Sequence, residues 1–183
     1  MLQNTLRVAR AVGDEDLVAL VRKEMGRAQS RAGDVAAGLR LLEESRAQLA
    51  KLREPHQVVD ADIACAEAHL LAGSPDVALA LIERVLVDTA SIHAATLLPS
   101  AYRVQAAALL ATGDVAQAQT ALTEGLRRSS SPEVAHERGF LLAVAARIAV
   151  LRQDPGAAQM EQEAKAALAS LGVVRAPLPE SAS

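Results

Sequence analysis

Aromatic side chains are almost missing from this chain: Tyr102 and Phe140 are the only two among 183 residues, and there is no tryptophan. A chain of this length can bury a proper core, so that core must be built from alanine, leucine, valine and isoleucine. Alanine and leucine are strong helix formers. Cysteine is nearly as scarce: Cys65 stands alone, which excludes an internal disulfide or a thiolate zinc site and fits a reducing cytoplasm. There is no large excess of either charge. A net charge of -3 argues against a general nucleic-acid binder, which needs a basic face to displace counterions from phosphate. Residues 1–12 lack the basic-then-apolar order of a signal peptide, and no apolar run approaches the roughly 18 residues needed to cross a bilayer. No segment alternates apolar and polar residues long enough to read as a strand. These absences leave the expectation of a soluble, cytoplasmic, all-α protein, with no membrane partner and no nucleic-acid partner for this segment.

What the chain does have is a repeat. Gly33, Gly73 and Gly113 recur every 40 residues, in Arg-Ala-Gly-Asp-Val, Leu-Ala-Gly-Ser-Pro and Ala-Thr-Gly-Asp-Val. The next step falls on Gln153, where the turn chemistry persists in Asp154 and Pro155. Seven residues before the turn stand Gly26, Ala66, Ala106 and Ala146, and five after it Gly38, Ala78, Ala118 and Ala158. Paired antiparallel helices cross closely only where neither contributes a bulky side chain, so each repeat needs one small residue per helix at the crossing. Leu42, Ile82 and Leu122 fill a third column, broken by Gln162. Alanine is common enough here to match itself by chance; the glycine column on the same register is what makes the repeat.

The spacing predicts an incomplete leading repeat with one helix over 1–12, ended at Gly13-Asp14. Four helical pairs follow, near 15–32 and 35–53, 55–72 and 75–90, 94–112 and 115–129, and 132–152 and 155–171. Asp34 is an expected N-cap and Pro55 a favoured first-turn residue, while Pro99 offers an alternative start for the helix near 94–112. Gly172 is the expected final C-cap. Residues 1–172 then form one helical repeat domain and 173–183 a frayed, disordered tail. Helices this short are marginal alone, so stacking of neighbours has to supply most of the stability.

Gly26, Gly33 and Gly38, then Ala66, Gly73 and Ala78, then Ala106, Gly113 and Ala118 resemble the tetratricopeptide-repeat family, whose unit has small residues and a turn at this spacing. The resemblance covers nearly the whole chain. It departs from the family in its period of about 40 rather than 34 and in its missing aromatics, with only Tyr102 where the large first-helix aromatic stands. Long, alanine-rich repeats of this kind are similar to the helical arrays of large bacterial signalling ATPases and of cyclase- or transcription-linked regulators. The resemblance implies a right-handed superhelix of about four helix-turn-helix repeats with a concave face lined by the first helix of each. Its groove columns map onto Leu20, Lys23, Arg27 and Arg31; Asp60, Ile63, Glu67 and Leu71; Ser100, Arg103, Ala107 and Ala111; and Phe140, Ala143, Arg147 and Leu151. Of these, Lys23, Arg27, Arg31, Glu67, Arg103 and Arg147 are the candidate partner-binding residues.

Lys23, Arg27 and Arg31 fall four residues apart and so share one helical face, where like charges repel slightly. A cationic ladder of this kind suits an acidic peptide or carboxylate; an ordinary solvated face, offset by Glu24 and Glu67, is the plainer account. No catalytic constellation stands out. The four histidines lack the helical spacing of a zinc pair, Cys65 beside Ala66 reads as a buried packing thiol, and neither phosphate-loop pattern occurs. The expectation is therefore a non-enzymatic, cofactor-free scaffold that recognises a protein or peptide within a larger signalling or transcription regulator. A small-molecule-sensing domain is the alternative, to be favoured by polar, convergent groove residues rather than a flat, open groove.

Overall fold

The computed structural model describes residues 1–131, 134–170, 173, 177 and 178. Among the described residues it contains nine α-helices and no strand: α1 (Leu2–Val12), α2 (Glu15–Arg31), α3 (Val35–Lys51), α4 (Pro55–Leu71), α5 (Pro75–Ser91), α6 (Leu98–Ala111), α7 (Val115–Arg128), α8 (Ala135–Leu151) and α9 (Ala157–Ser170). One 3-10 turn, Ala95–Leu97, precedes α6, so this helix starts one residue before Pro99. Helices α2/α3, α4/α5, α6/α7 and α8/α9 are the four pairs, and α1 packs on α2 as an unpaired leading helix.

The turn inside each pair follows the glycine column. Gly33, Gly73 and Gly113 have φ of 100°, 76° and 88°, a left-handed conformation that only glycine adopts without steric cost. Asp34 and Asp114 then cap α3 and α7 by accepting from the backbone N–H of Ala37 and Gln117. A second left-handed column lies between the pairs, again at 40-residue steps: Gly13, Arg53 and His93, with φ of 73°, 60° and 55°. Its period was invisible in the sequence because two of its three members are not glycine.

The small-residue columns sit where the paired helices cross. A Cβ on Gly26 would lie 2.8 Å from the Gly38 carbonyl oxygen, and one on Gly38 would lie 2.7 Å from that of Gly26; neither distance is tolerable. Ala66, Ala78, Ala106 and Ala118 occupy the matching places in the next two pairs and are completely buried, with Leu42, Ile82 and Leu122 beside them. The fourth pair departs from the expected register. Ala158 is exposed. The buried face of α9 carries Ala164 and Leu168, with Ala157 partly covered. The seven-residue interval from Ala157 to Ala164 matches that from Ala118 to Gly125, so the last helix has slipped by one residue. The cause lies in its turn: Gln153 takes the left-handed role with φ of 54°, Asp154 Oδ1 accepts from the Gly156 N–H at 2.8 Å, and α9 starts at Ala157, two residues later than expected.

The expected cap at Gly172 and most of the expected tail lie outside the described residues. Of the three described there, Pro177 is buried and Leu178 packs against the main apolar cluster formed by α4 to α8. No helix among the described residues is long and apolar enough to cross a membrane.

Candidate functional site

The first helices α2, α4, α6 and α8 pack directly on one another as well as on their own partners. This double packing covers part of the face assigned to the groove. Ala107, placed in a groove column by the family resemblance, is only 2% exposed and belongs to the core, as does Ile63. Lys23, Glu67 and Arg103, candidates for a solvated binding face, are 4%, 3% and 3% exposed. Each is matched by an opposite charge on a neighbouring first helix.

Lys23 pairs with Asp60 across to α4 and donates to Gln57 Oε1 at 2.7 Å. Arg27 donates through Nη2 to Asp60 Oδ1 at 2.9 Å and lies 3.5 Å from Glu24. Arg31 grips Glu67 with both Nε (2.6 Å) and Nη2 (3.1 Å). Glu67 also accepts from Arg103 Nη2 at 2.6 Å, and Arg103 Nε reaches Glu137 Oε2 at 2.8 Å. The result is a chain of alternating charge, Arg31–Glu67–Arg103–Glu137, that crosses all four first helices. Phe140, on α8, is bracketed by the Arg31 and Arg103 guanidinium carbons, 5.2 and 5.3 Å from its ring centre, a distance at which the ring face attracts a cation. The expected cationic ladder is thus not a free one: its charges are already spent on the carboxylates of the next repeat.

The protonation states follow. Burial by itself would raise the Glu67 carboxyl, but Arg103 and Arg31 outweigh it and hold it at about 2. Asp60 is likewise held below its ordinary range, against burial, by Arg27 and Lys23. On another side of α4, buried Asp62 binds Arg46 of α3 and lies 3.6 Å from Arg84 of α5. Cys65 lies near this pair. Burial first, then Asp62 and Glu43, push its thiol up to about 12, which leaves it protonated and unreactive at neutral pH. Among the described residues, no three His, Cys, Asp or Glu side chains are placed to hold a metal ion.

Between the first helices the network frames a cleft of about 240 Å³, whose polar lining is Arg27, Arg31, Asp60, Glu67, Thr96, Ser100, Arg103, His136 and Glu137. Arg147 stands further along α8, half-buried, outside the cleft. The structure therefore brings together Arg27, Arg31, Glu67 and Arg103, with Lys23 joined to them through Asp60, and sets Arg147 apart. Sequence reasoning missed Gln57, Thr96, His136 and Glu137. A signal for the network was present, in that Arg31, Glu67 and Arg103 alternate in sign at a constant interval of 36 residues. That interval is one repeat less about one helical turn.

No protein-family model and no curated protein matches the chain. Among solved structures, it is similar to a putative kinesin light chain from Podospora anserina with nearly identical tetratricopeptide-like repeats. The TM-score is 0.58 at 19% identity, over 93% of this chain and 85% of that one. The architecture is accordingly the all-α, tetratricopeptide-like repeat superhelix.

Proposed function

We propose that this chain is a non-enzymatic recognition module that takes up a peptide or protein segment along its first-helix face, as a cytoplasmic regulatory part of a larger signalling or transcription regulator. The observation that carries the reading is the unbroken band of charged side chains across α2, α4, α6 and α8, with a cleft at its centre. Its chemistry suits binding better than bond-making. Glu67 stays ionised down to about pH 2, arginine does not deprotonate, and the single thiol is buried.

An acidic partner suited the ladder when its cations were read as free. In the folded chain, Lys23, Arg27, Arg31 and Arg103 are matched by Glu24, Asp60, Glu67 and Glu137. An acidic side chain would have to displace one of these carboxylates, so a segment carrying both signs of charge fits the face better, and its binding should depend only weakly on salt. Selection of peptides from a random display library tests the reading. Enriched peptides should bind Arg27→Gln at least tenfold more weakly than the parent chain, and Arg40→Gln, at an exposed position of α3, equally well. No enrichment over the heat-unfolded chain, or equal binding to both variants, rejects it.

A second reading, small-molecule sensing, is favoured by one specific observation. The polar groups of the cleft converge on a small volume instead of lying along a flat surface.

A further inference from the structure

The cleft is small and balanced in charge. At about 240 Å³ it lies below the roughly 300–1,000 Å³ of sites for drug-sized ligands, which sets its ligand in the range of a simple metabolite. Three guanidiniums, from Arg27, Arg31 and Arg103, face it along with three carboxylates, from Asp60, Glu67 and Glu137.

Most of the hydrogen-bonding capacity of these groups is used internally, but some is left. Arg31 and Arg103 donate through Nε and Nη2, so the Nη1 group of each has no acceptor among the described residues. Glu137 accepts through Oε2, while among the described residues its Oε1 has only the His136 Nε2 at 3.6 Å, too long for a hydrogen bond. Ser100 donates its hydroxyl to the Leu97 carbonyl and keeps lone pairs to accept with. Cations with donors, and an anion with an acceptor, that have no partner among the described residues thus line one cleft.

Net charge decides what they can take. A lone anion or cation would add an uncompensated charge to a partly buried site whose own charges already cancel, and such a charge is costly. A zwitterion adds none, and it matches both kinds of unused group. We propose that the cleft binds a free α-amino acid, its carboxylate on the Nη1 groups of Arg31 and Arg103 and its ammonium on Glu137 Oε1. The inference rests on the first-helix face being the binding face, and deepens the small-molecule reading of it.

The test is a thermal-unfolding and calorimetric titration of the full chain with each proteinogenic L-α-amino acid at millimolar concentration, with acetate and methylammonium as single-charge probes. At least one amino acid should raise Tm by about 4 °C or more at saturation, while neither probe does. Glu137→Gln, which keeps an oxygen for Arg103, should weaken that binding at least tenfold. Ser100→Leu, which fills the cleft without touching an ion pair, should abolish it, and both variants should keep the parent helical circular dichroism. The proposal is overturned if no amino acid shifts Tm, if acetate alone reproduces the shift, or if binding survives in both variants. Peptide capture reads the wider face separately. Selected peptides without any amino-acid effect would sink the amino-acid site and spare the recognition reading, and the reverse result would do the opposite.

Discussion

Each first helix is held on two sides by opposite chemistry. Against its own second helix α2 presents Gly26 to Gly38, with no room for another methyl, and α4 and α6 carry buried Ala66 and Ala106 at the matching places, with Ala78 and Ala118 buried on their partners. Against the first helices of neighbouring repeats, α2, α4, α6 and α8 present ions that pair across the joint. The apolar crossing recurs in kind in the first three pairs and makes them alike, while the fourth is shifted by one residue. The ionic joints differ from place to place, and a paired buried charge tolerates few alternative arrangements. The comparison suggests that small residues build the hairpins while the charges fix how one hairpin sits on the next.

The largest effect should come from breaking an ionic joint. Glu67→Leu leaves Arg103, 3% exposed, with one carboxylate partner instead of two and Arg31 with none of its present ones. Removal of one partner from such a buried set costs about 3–5 kcal/mol, readable as a lowered urea midpoint. Acid should do part of the same work. The Glu67 carboxyl sits at about 2 against an ordinary value of 4.5, so the unfolded chain takes up its proton more readily than the folded one. Its contribution is complete above about pH 4.5 and disappears as pH falls toward 2, a loss on the order of 3 kcal/mol. Urea unfolding at neutral pH and in acid checks this, and Glu67→Gln should flatten that part of the profile.

Overfilling a crossing comes next. Ala106→Leu should cost about 1–3 kcal/mol, whereas Ala80→Leu, on the exposed face of α5, should cost almost nothing. Equal melting temperatures would discard the crossing assignment. Ala107→Leu should also destabilise, because Ala107 is buried in the core. The smallest effects concern the turns. Gly33→Ala forces a side chain into a φ of 100° and should destabilise by about 1 kcal/mol. Arg53→Gly relieves a left-handed arginine and should stabilise by less than about 1 kcal/mol, since glycine also loosens the unfolded chain.

The same contrast explains what could be read from the sequence. The hairpins were legible because their rules are local or strictly periodic: Gly33, Gly73 and Gly113 mark turns, and the alanine columns mark crossings, so most helix limits came within a residue or two. The slip in α9 was not, because Gln153 can stand in for glycine without announcing that the next helix starts late. Of the candidate site, Lys23, Arg27, Arg31, Glu67 and Arg103 were picked out by their groove columns, but as solvated groups. The burial of Lys23, Glu67 and Arg103 depends on side chains 34 to 37 residues away, and a column taken one helix at a time cannot show a pairing between helices. Arg147 shared the column yet stands apart from the cleft, since a shared repeat position does not give a shared neighbourhood once the charged partners differ from repeat to repeat.

The central claim is that Glu67 and Arg103 act together as a fastener between repeats rather than as two separate surface charges. The most direct test is a double-mutant cycle of Glu67→Leu and Arg103→Leu, followed by urea unfolding of all four chains. The account predicts that each single change is strongly destabilising and that the double variant loses clearly less than their sum, with a coupling of about 1–3 kcal/mol. Losses that add within about 0.5 kcal/mol, or single variants as stable as the parent chain, would contradict it.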